Sequence, residues 1–549
     1  MPCLQERGTV INEGGTIMIA VNQVGYAAGS VKHATISGGR HYKLYNSKGE
    51  RILEGDAQLI YDENSAEEAG CIDFSEVDIP GKYYFVDEKG QRSCGFTIGK
   101  KVYASLFKDA LRMYYFQRCG MALEEKYAGR FAHKACHCMN ARILYSDPER
   151  HVKLKGGWHD AGDYGRYVTA GAVAVAHLLY AYALKPKAFK LSHDIPESGN
   201  GIPDILNECA WELDWMLKMQ EKDGGVHHKA TSESFVDFVM PEDDKLEPVV
   251  TPVSSLATAD QAAIMALAAR LYEQYDEKRA KAYKKSALAA GKWLMNNREF
   301  IFKNPSEIHT GTYEDMCDAD ERMWAAVELY QLSGDEKWIW VIRQILELRI
   351  NTVALGWADV GGLASMSLLI AKKGTFPQDL VDKLKGSWLE EAERLRKISA
   401  SNPYELAFHH YNFNWGSNMQ VLCNAMVFCF ANRLSGEDIY LEYAASQLDY
   451  ILGRNAMDMS YVTGYGEKAF KDPHNRPTVA DGIDEPIPGY VSGGPNYRAC
   501  DTAANPDILK GRPPMKWFVD DWKSYSTNEI TIYWNSPLVY VLAYLTGGK

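Results

Sequence analysis

The sequence of 549 residues predicts a mainly α-helical protein that begins with a small β-sandwich. Two observations lead to this prediction. Up to about residue 98, short runs alternate apolar and polar residues between turn sequences, which is the pattern of strands in a sandwich. After residue 101, apolar residues recur at helical spacing in one segment after another. We therefore expect two domains, residues 1–100 and residues 101–549.

Four runs carry the strand prediction. Within one of them, Tyr83, Tyr84 and Phe85 alternate between the two faces of the strand, so at least half of these rings should be core. Physical support of the second domain is the expected role of the sandwich, and carbohydrate binding through these rings is the alternative. The four runs are 18–21, 42–45, 82–86 and 94–98.

Nine segments of the second domain are predicted to be helices. Several are apolar on more than one face, as expected for helices buried on both sides. No strand run interrupts them, so this domain should be all-α. The short junction at residues 99–101 leaves little length for a mobile linker, and the two domains should pack directly. The nine segments are 168–184, 205–220, 260–275, 279–296, 320–332, 338–348, 363–371, 419–434 and 439–452.

Composition and charge exclude several classes of partner. The net charge of −12 argues against a nucleic-acid partner and provides no basic stripe for an anionic membrane. Eleven cysteines without framework spacing favour free thiols plus a metal site over a disulfide scaffold. Residues 1–7 lack a long apolar run, and the run 17–21 is too short for a signal or a membrane span. We expect a cytoplasmic monomer, with secretion as the alternative if a leader was removed.

Two carboxylates three residues apart form the strongest chemical signal. Asp160 and Asp163 lie in GGWHDAGDY, residues 156–164, where glycines allow a tight turn close to a ligand. A surface Asx-rich turn is the alternative. A third acid, Glu529, lies among apolar and aromatic residues that would raise its pKa, whereas the glycine-rich turn of the other two should be hydrated. Two separate carboxylate sites suit acid/base hydrolysis of a glycosidic bond.

Four motifs in order resemble glycoside hydrolase family 9, the inverting cellulases. They are GGWHDAGDYGRYV, GNGIPDILNECAWELDWMLKMQ, PHNRPTVADG and SYSTNEITIYWNSPLVYVLA, and the resemblance runs from about Val102 to the C-terminus. The sequence VNQVGY, residues 21–26, resembles the opening of the Ig-like domain that precedes many catalytic domains of this family. The resemblance implies an (α/α)6 barrel with the motif-bearing loops at one end. It also implies an inverting endo-β-1,4-glucanase acting on cellulose, soluble β-glucans or cello-oligosaccharides.

The resemblance assigns roles to matching positions. Asp163 matches the general base that deprotonates the attacking water, Asp160 matches the partner that helps hold this water, and Glu529 matches the general acid. In inverting enzymes the acid and the base stand roughly 6.5–9.5 Å apart. His474 and Arg476 match sugar-contacting residues near the cleavage point. Aromatic rings offer flat apolar surfaces to pyranoses, and four candidates for such stacking are Trp357, Trp415, Trp517 and Tyr525, although single tryptophans more often belong to the core.

Two metal sites are expected. The residues Cys119, Cys136, His137 and His159 supply the donor set of a closed tetrahedral zinc site. Their spacing is not that of a zinc finger, and it is the resemblance that implies a structural zinc at these positions. Cys138 is a rival ligand, and an ordinary buried thiol is the alternative for Cys119.

Calcium is the second expected metal, with its ligands not placed. Family 9 domains often hold calcium, and Asp315, Asp318, Asp320 and Glu321 form an acidic cluster with hard oxygen donors. Acids opposite a helix dipole are the simpler explanation of this cluster, and the one that the sequence favours.

Two other functions stay open. An exo-acting β-glycosidase or exo-β-glucosaminidase would act on short oligosaccharides, and the missing secretion signal favours it because insoluble cellulose does not enter cells. A non-catalytic carbohydrate-binding protein is the remote alternative. Retention of Asp160, Asp163 and Glu529 together argues against it, since binding requires no water-activating pair opposite an acid.

Overall fold

The computed structural model describes residues 17–143 and 149–547. The first sixteen residues of the predicted sandwich domain, including the segment used to predict the cellular compartment, lie outside the described residues. No helix in the described ranges is both long and apolar enough to cross a membrane.

Two sheets form the N-terminal sandwich. One has the strand order β1-β3-β7-β6 and the other β2-β9-β8-β4-β5. Tyr83 and Phe85 are buried in the core between them and Tyr84 is partly exposed, as alternation along a strand requires. The nine strands are β1 (Met18–Ala20), β2 (Tyr26–Ala27), β3 (His33–Ser37), β4 (His41–Asn46), β5 (Arg51–Asp56), β6 (Ile60–Asp62), β7 (Glu67–Asp73), β8 (Gly81–Asp87) and β9 (Phe96–Gly99).

Twelve helices of ten residues or more follow within the described ranges, and they form two concentric layers. Even-numbered helices are buried almost all round, and odd-numbered helices other than α3 keep an exposed face, so the former are the inner layer. This is the predicted (α/α)6 barrel. The helices are α1 (Ala104–Phe116), α2 (Val168–Leu184), α3 (Asp204–Met216), α4 (Ser255–Tyr272), α5 (Glu277–Asn296), α6 (Ala319–Ser333), α7 (Lys337–Leu346), α8 (Gly361–Ile370), α9 (Gln378–Ser399), α10 (Ser417–Ser435), α11 (Ile439–Ile451) and α12 (Ile532–Thr546).

The structure differs from the sequence predictions in two respects. Helices α1, α9 and α12 were not predicted; α12 contains Pro537 and is apolar all round, which hides its period. The expectation of an all-α second domain was wrong, because five strands of two to four residues form a sheet beside the barrel, and strands this short show no period in sequence. They are, in spatial order, His151–Lys153, Asn140–Ile143, Val249–Val250, Lys229–Thr231 and Arg166–Tyr167.

The two domains are in direct contact. The Asn22 side chain donates a hydrogen bond of 2.7 Å to Asp449 of α11. His33 of β3 lies 2.7 Å from a carboxylate oxygen of Glu405, which follows α9. The predicted boundary after residue 100 falls between β9 and α1.

Candidate active site

The loop of residues 154–165 leads toward the inner helix α2, and it touches the loop that carries His474 and Arg476. The backbone nitrogen of Arg476 donates to the carbonyl oxygen of Gly162 at 3.1 Å, and a guanidinium nitrogen donates to the same oxygen at 2.8 Å. A Cβ at Gly162 would lie 2.0 Å from the carbonyl oxygen of His474, so only glycine permits this approach. Motif residues more than 300 positions apart therefore meet at one point.

Asp160 is buried, with 1% of its surface exposed. Tyr313 donates a hydrogen bond of 2.5 Å to Oδ2, and Oδ1 has no hydrogen-bond partner among the described residues. Burial, followed by the nearby charge of Asp163, raises the pKa of Asp160 well above its ordinary value. The hydrated turn expected from the glycine-rich sequence is thus wrong for this residue, because distant segments cover it.

Asp163 is 8% exposed and is oriented through one oxygen. Its Oδ2 accepts hydrogen bonds from the backbone nitrogen of Gly165 at 3.0 Å and from the hydroxyl of Tyr167 at 3.4 Å. The described residues make no hydrogen bond to Oδ1. This oxygen is therefore available to accept a proton from water, which is the geometry that a general base requires.

Glu529 lies three residues before α12 and is fixed through its backbone. Its carbonyl oxygen accepts a hydrogen bond of 2.9 Å from Gly493, and its backbone bridges to that of His474. Burial and then repulsion from Asp163 and Asp160 raise the pKa of Glu529 well above its ordinary value, against smaller lowering effects of Arg476 and Gly162. A carboxyl group that stays protonated at neutral pH can act as a general acid.

His474 and Arg476 lie beside these carboxylates. The Nδ1 atom of His474 is 2.7 Å from the carbonyl oxygen of Trp522, a contact in which nitrogen donates and Nε2 is left for a ligand. Arg476 donates through Nε to the carbonyl oxygen of Val236 at 2.9 Å, and its guanidinium lies 5.0 Å from the Phe238 ring centroid. Both side chains are held in one orientation by backbone acceptors.

Three of the four predicted aromatic residues adjoin this site. The ring of Tyr525 lies 6.1 Å from that of His474 and 5.5 Å from that of Trp415, which is 54% exposed. The ring of Trp357 lies 4.9 Å from that of Tyr313, the tyrosine that contacts Asp160. These contacts place the three rings beside residues of the site, and their stacking role stays a prediction.

Trp517 belongs to a different environment. Its indole nitrogen donates to the carbonyl oxygen of Arg512 at 2.6 Å. Its ring packs against a small apolar cluster formed by Ala499, Ala504 and Leu509. The contacts described for this ring do not join it to the carboxylates, and its role in stacking stays a prediction.

Tyr313 and Tyr167 belong to the site and were missed in the sequence. Each contacts one of the paired carboxylates, and their rings are 4.7 Å apart. Tyr313 also has a φ of +49°, which is unusual for a bulky residue. No motif marks Tyr313, because its position depends on a loop 150 residues beyond Asp160; Tyr167 could have been found, since it lies four residues after Asp163.

The four predicted zinc ligands converge. The donor atoms of Cys119, Cys136, His137 and His159 all lie within 4.8 Å of one another. The second ring nitrogen of His137 is 3.2 Å from Asp244, the arrangement in which a carboxylate orients a metal-binding histidine. The rival Cys138 is exposed and directs its thiol to the carbonyl oxygen of Cys136. The convergent set fits zinc and adjoins Asp160 through His159.

The predicted acidic cluster is more deeply buried than expected. Asp260 and Glu321 are fully buried, and neither carboxylate has a hydrogen-bond partner among the described residues. Burial and the charges of Asp320 and Asp315 raise the pKa of both, and burial raises that of Asp359 to about 7. The helix-dipole explanation concerns acids at the first turn of α6 and does not cover Asp260, which belongs to α4. A role of this cluster in metal binding stays a prediction.

A buried carboxyl acid close to a paired-carboxylate base, on an (α/α)6 barrel, defines a glycoside hydrolase. Residues 103–542 match glycosyl hydrolase family 9, and residues 16–93 match the cellulase N-terminal ig-like domain. The chain belongs to glycosyl hydrolase family 9.

Similar proteins agree along nearly the whole chain. A cellodextrinase of Butyrivibrio fibrisolvens is 42% identical over 547 residues, which cover 96% of this chain and 99% of the relative. The structure of AaCel9A in complex with cellobiose-like isofagomine is 35% identical, covers 97% of this chain and 100% of that chain, and has a TM-score of 0.90. A Zn-binding triple mutant of the family 9 endoglucanase J30 is 30% identical, covers 95% of this chain and 99% of that chain, and has a TM-score of 0.89.

Proposed function

We propose that this protein hydrolyses β-1,4-glucosidic bonds of cello-oligosaccharides, soluble β-glucans and cellulose with inversion of the anomeric carbon. The observation that carries the proposal is the contact between the loop of Asp160 and Asp163 and the segment of Glu529, where the backbone nitrogen of Ile532 donates to the carbonyl oxygen of Asp160 at 2.8 Å. Glu529 donates its proton to the leaving oxygen. Asp163 deprotonates water through its free Oδ1, and Asp160 holds the same water through its own unpaired Oδ1.

Substrate binding follows from the surrounding side chains. His474 and Arg476 contact the sugar beside the cleaved bond, and Trp357, Trp415 and Tyr525 stack on neighbouring rings. Trp517 is the least supported member of this set, because its ring belongs to a separate cluster. The relatives named above support a β-glucan substrate, and the cellodextrinase at 42% identity favours short chains and keeps an exo-acting enzyme as the second candidate.

Product analysis tests this proposal. Cellohexaose, carboxymethylcellulose and chitosan oligomers are incubated with the protein, with Asp163→Asn prepared in parallel to exclude contaminating hydrolases. A fall in the viscosity of carboxymethylcellulose indicates endo cleavage, whereas release of one short product from cellohexaose alone indicates the exo-acting enzyme. NMR of fresh product should show the α-anomer. Initial β-anomer, or cleavage of chitosan oligomers alone, contradicts the proposal.

We also propose that Cys119, Cys136, His137 and His159 hold a structural zinc ion. Four protein ligands leave no open position for substrate, so zinc would act as a cross-link between the loops that carry these residues. His159 precedes Asp160 directly, and the metal would thereby fix the catalytic turn. The Zn-binding triple mutant of endoglucanase J30 supports the proposal that this fold can accommodate a zinc ion.

A calcium ion is proposed at the buried acidic cluster. Asp260, Asp320, Glu321 and Asp359 offer the hard oxygen donors that calcium prefers. Their mutual repulsion and the unpartnered oxygens of Asp260 and Glu321 support a bound cation, because a divalent ion would offset both costs.

A further inference from the structure

Lys229 is a fully buried lysine beside the active site that the mechanism above does not use. Its amino group donates to the hydroxyl of Thr310 at 3.2 Å and to the carbonyl oxygen of Gly311. It also lies 5.4 Å from the centroid of the Tyr167 ring. These acceptors are neutral, and the charge of Asp163 acts on the amine without a salt bridge between the two among the described residues, so burial of this amine is costly.

The acceptors of Lys229 belong to the segment that ends in Tyr313. The neighbouring His228 contacts the next carbonyl oxygen of this segment, that of Thr312, at 3.1 Å. The adjacent side chains of His228 and Lys229, at the start of the strand Lys229–Thr231, thus hold three successive residues, 310–312. Residues 310–312 lie outside regular secondary structure, so side-chain contacts hold them in place of the backbone hydrogen bonds of a sheet.

Tyr313 follows directly and is the residue whose conformation requires support. Its φ of +49° is unfavourable for a residue with a Cβ, by about 1–3 kcal/mol. This conformation directs the hydroxyl to Oδ2 of Asp160 at 2.5 Å. Without the contacts to residues 310–312, the segment would relax to an ordinary conformation and the hydroxyl would leave the carboxylate.

We propose that Lys229 is a positioning residue that holds the segment of residues 310–312 so that Tyr313 reaches Asp160. The inference rests on the proposed function, since it assigns Lys229 an effect on the carboxylate that holds the attacking water. Lys229 does not touch substrate in this proposal. It acts through Tyr313, and removal of either residue should have the same consequence for catalysis.

A double-mutant cycle tests the inference. Lys229→Met, Tyr313→Phe and the double variant are compared with the wild type for kcat and KM on cellotetraose. Loss of a hydrogen bond to a charged group typically costs about 10- to 100-fold. Each single variant should lose about this much of kcat with little change in KM, and the double variant should be no slower than the slower single variant.

The matched control is Lys32→Met. Lys32 is also a fully buried lysine, but it lies in the sandwich and donates to Asp78 and to the carbonyl oxygen of Ser30. This variant should keep the wild-type kcat. If Lys229→Met does not fold, as judged by circular dichroism, Lys229→Leu takes its place in the cycle, because it likewise lacks an N–H donor.

Two results would overturn the inference. One is wild-type kcat in a folded Lys229 variant, and the other is a double variant whose loss equals the product of the two single losses. Asp163→Asn separates this failure from a failure of the proposed function. If Asp163→Asn retains activity, the proposed function is wrong; if it is inactive and either result above holds, only the role of Lys229 is wrong.

Discussion

Replacement of Glu529 by glutamine should remove the general acid and leave its surroundings in place. The backbone contacts of Glu529 to Gly493 and His474 do not involve the carboxyl group, so the isosteric amide should keep the same position. General acid catalysis contributes ~10²–10⁴-fold, or about 2.7–5.5 kcal/mol of activation free energy. Because burial and two carboxylates keep the acid protonated, we expect a loss in the upper half of this range on cellotetraose.

The assay compares two leaving groups. In a dinitrophenyl cellobioside the leaving group is dinitrophenolate, which departs without protonation. Glu529→Gln should therefore lose less than about tenfold of kcat on this substrate. Asp163→Asn is the matched control. Hydrolysis of both substrates requires activated water, so this variant should lose a similar fraction of kcat on each. Equal losses of Glu529→Gln on the two substrates, or near-wild-type turnover of cellotetraose, would refute the assignment of Glu529 as the acid.

Three further predictions concern metals and pH. Protein purified without added metal should contain about one zinc per chain by elemental analysis, the stoichiometry of a single closed site. Cys136→Ser should lower zinc content and Tm together, whereas Cys138→Ser should keep both. Full zinc content in Cys136→Ser would exclude the site. Calcium added to calcium-free protein should raise Tm, because only the folded state binds it. Asp260→Asn should abolish this rise in Tm, and an unchanged rise in the variant would place calcium elsewhere. Against the lowering effect of burial, contacts with Cys71 and Glu405 raise the pKa of His33 to about 10, so the stabilisation from these contacts is complete below the unfolded pKa of ~6.5 and is lost as pH rises through about 10. His33→Gln should therefore lower the free energy of unfolding by about 1.5–3 kcal/mol near pH 6 and by little above pH ~10, as measured by urea denaturation, and a pH-independent difference would contradict the ion pair.

Much of the fold was determined by local pattern. The helical period of the outer layer, and the alternation of residues 82–86, are set by which faces must leave water, and this requirement is written in the sequence. The strands beside the barrel were missed because two to four residues contain at most two periods of a strand. Helix α12 was missed because burial on all sides removes polar residues and, with them, the period.

The sequence by itself determined the chemistry of the candidate site. Asp160 and Asp163 form a spacing that turns two carboxylates toward one volume, and the four metal-ligand types were identified from their side chains and the family resemblance. What only the tertiary structure decided is the environment of each group. Asp160 was expected to be hydrated, yet it is buried by Tyr313, a residue 153 positions away.

The physical reason is that a pKa depends on distant segments that exclude water and bring charges together. The pKa of Glu529 is raised first by burial and then by the charges of Asp163 and Asp160, which lie more than 360 residues earlier in the chain. The sequence also gives no sign of the role of Lys229, since no local pattern predicts its burial against residues 310–311. Residue types fix which reactions are available, and the fold fixes which protonation state and orientation each residue adopts.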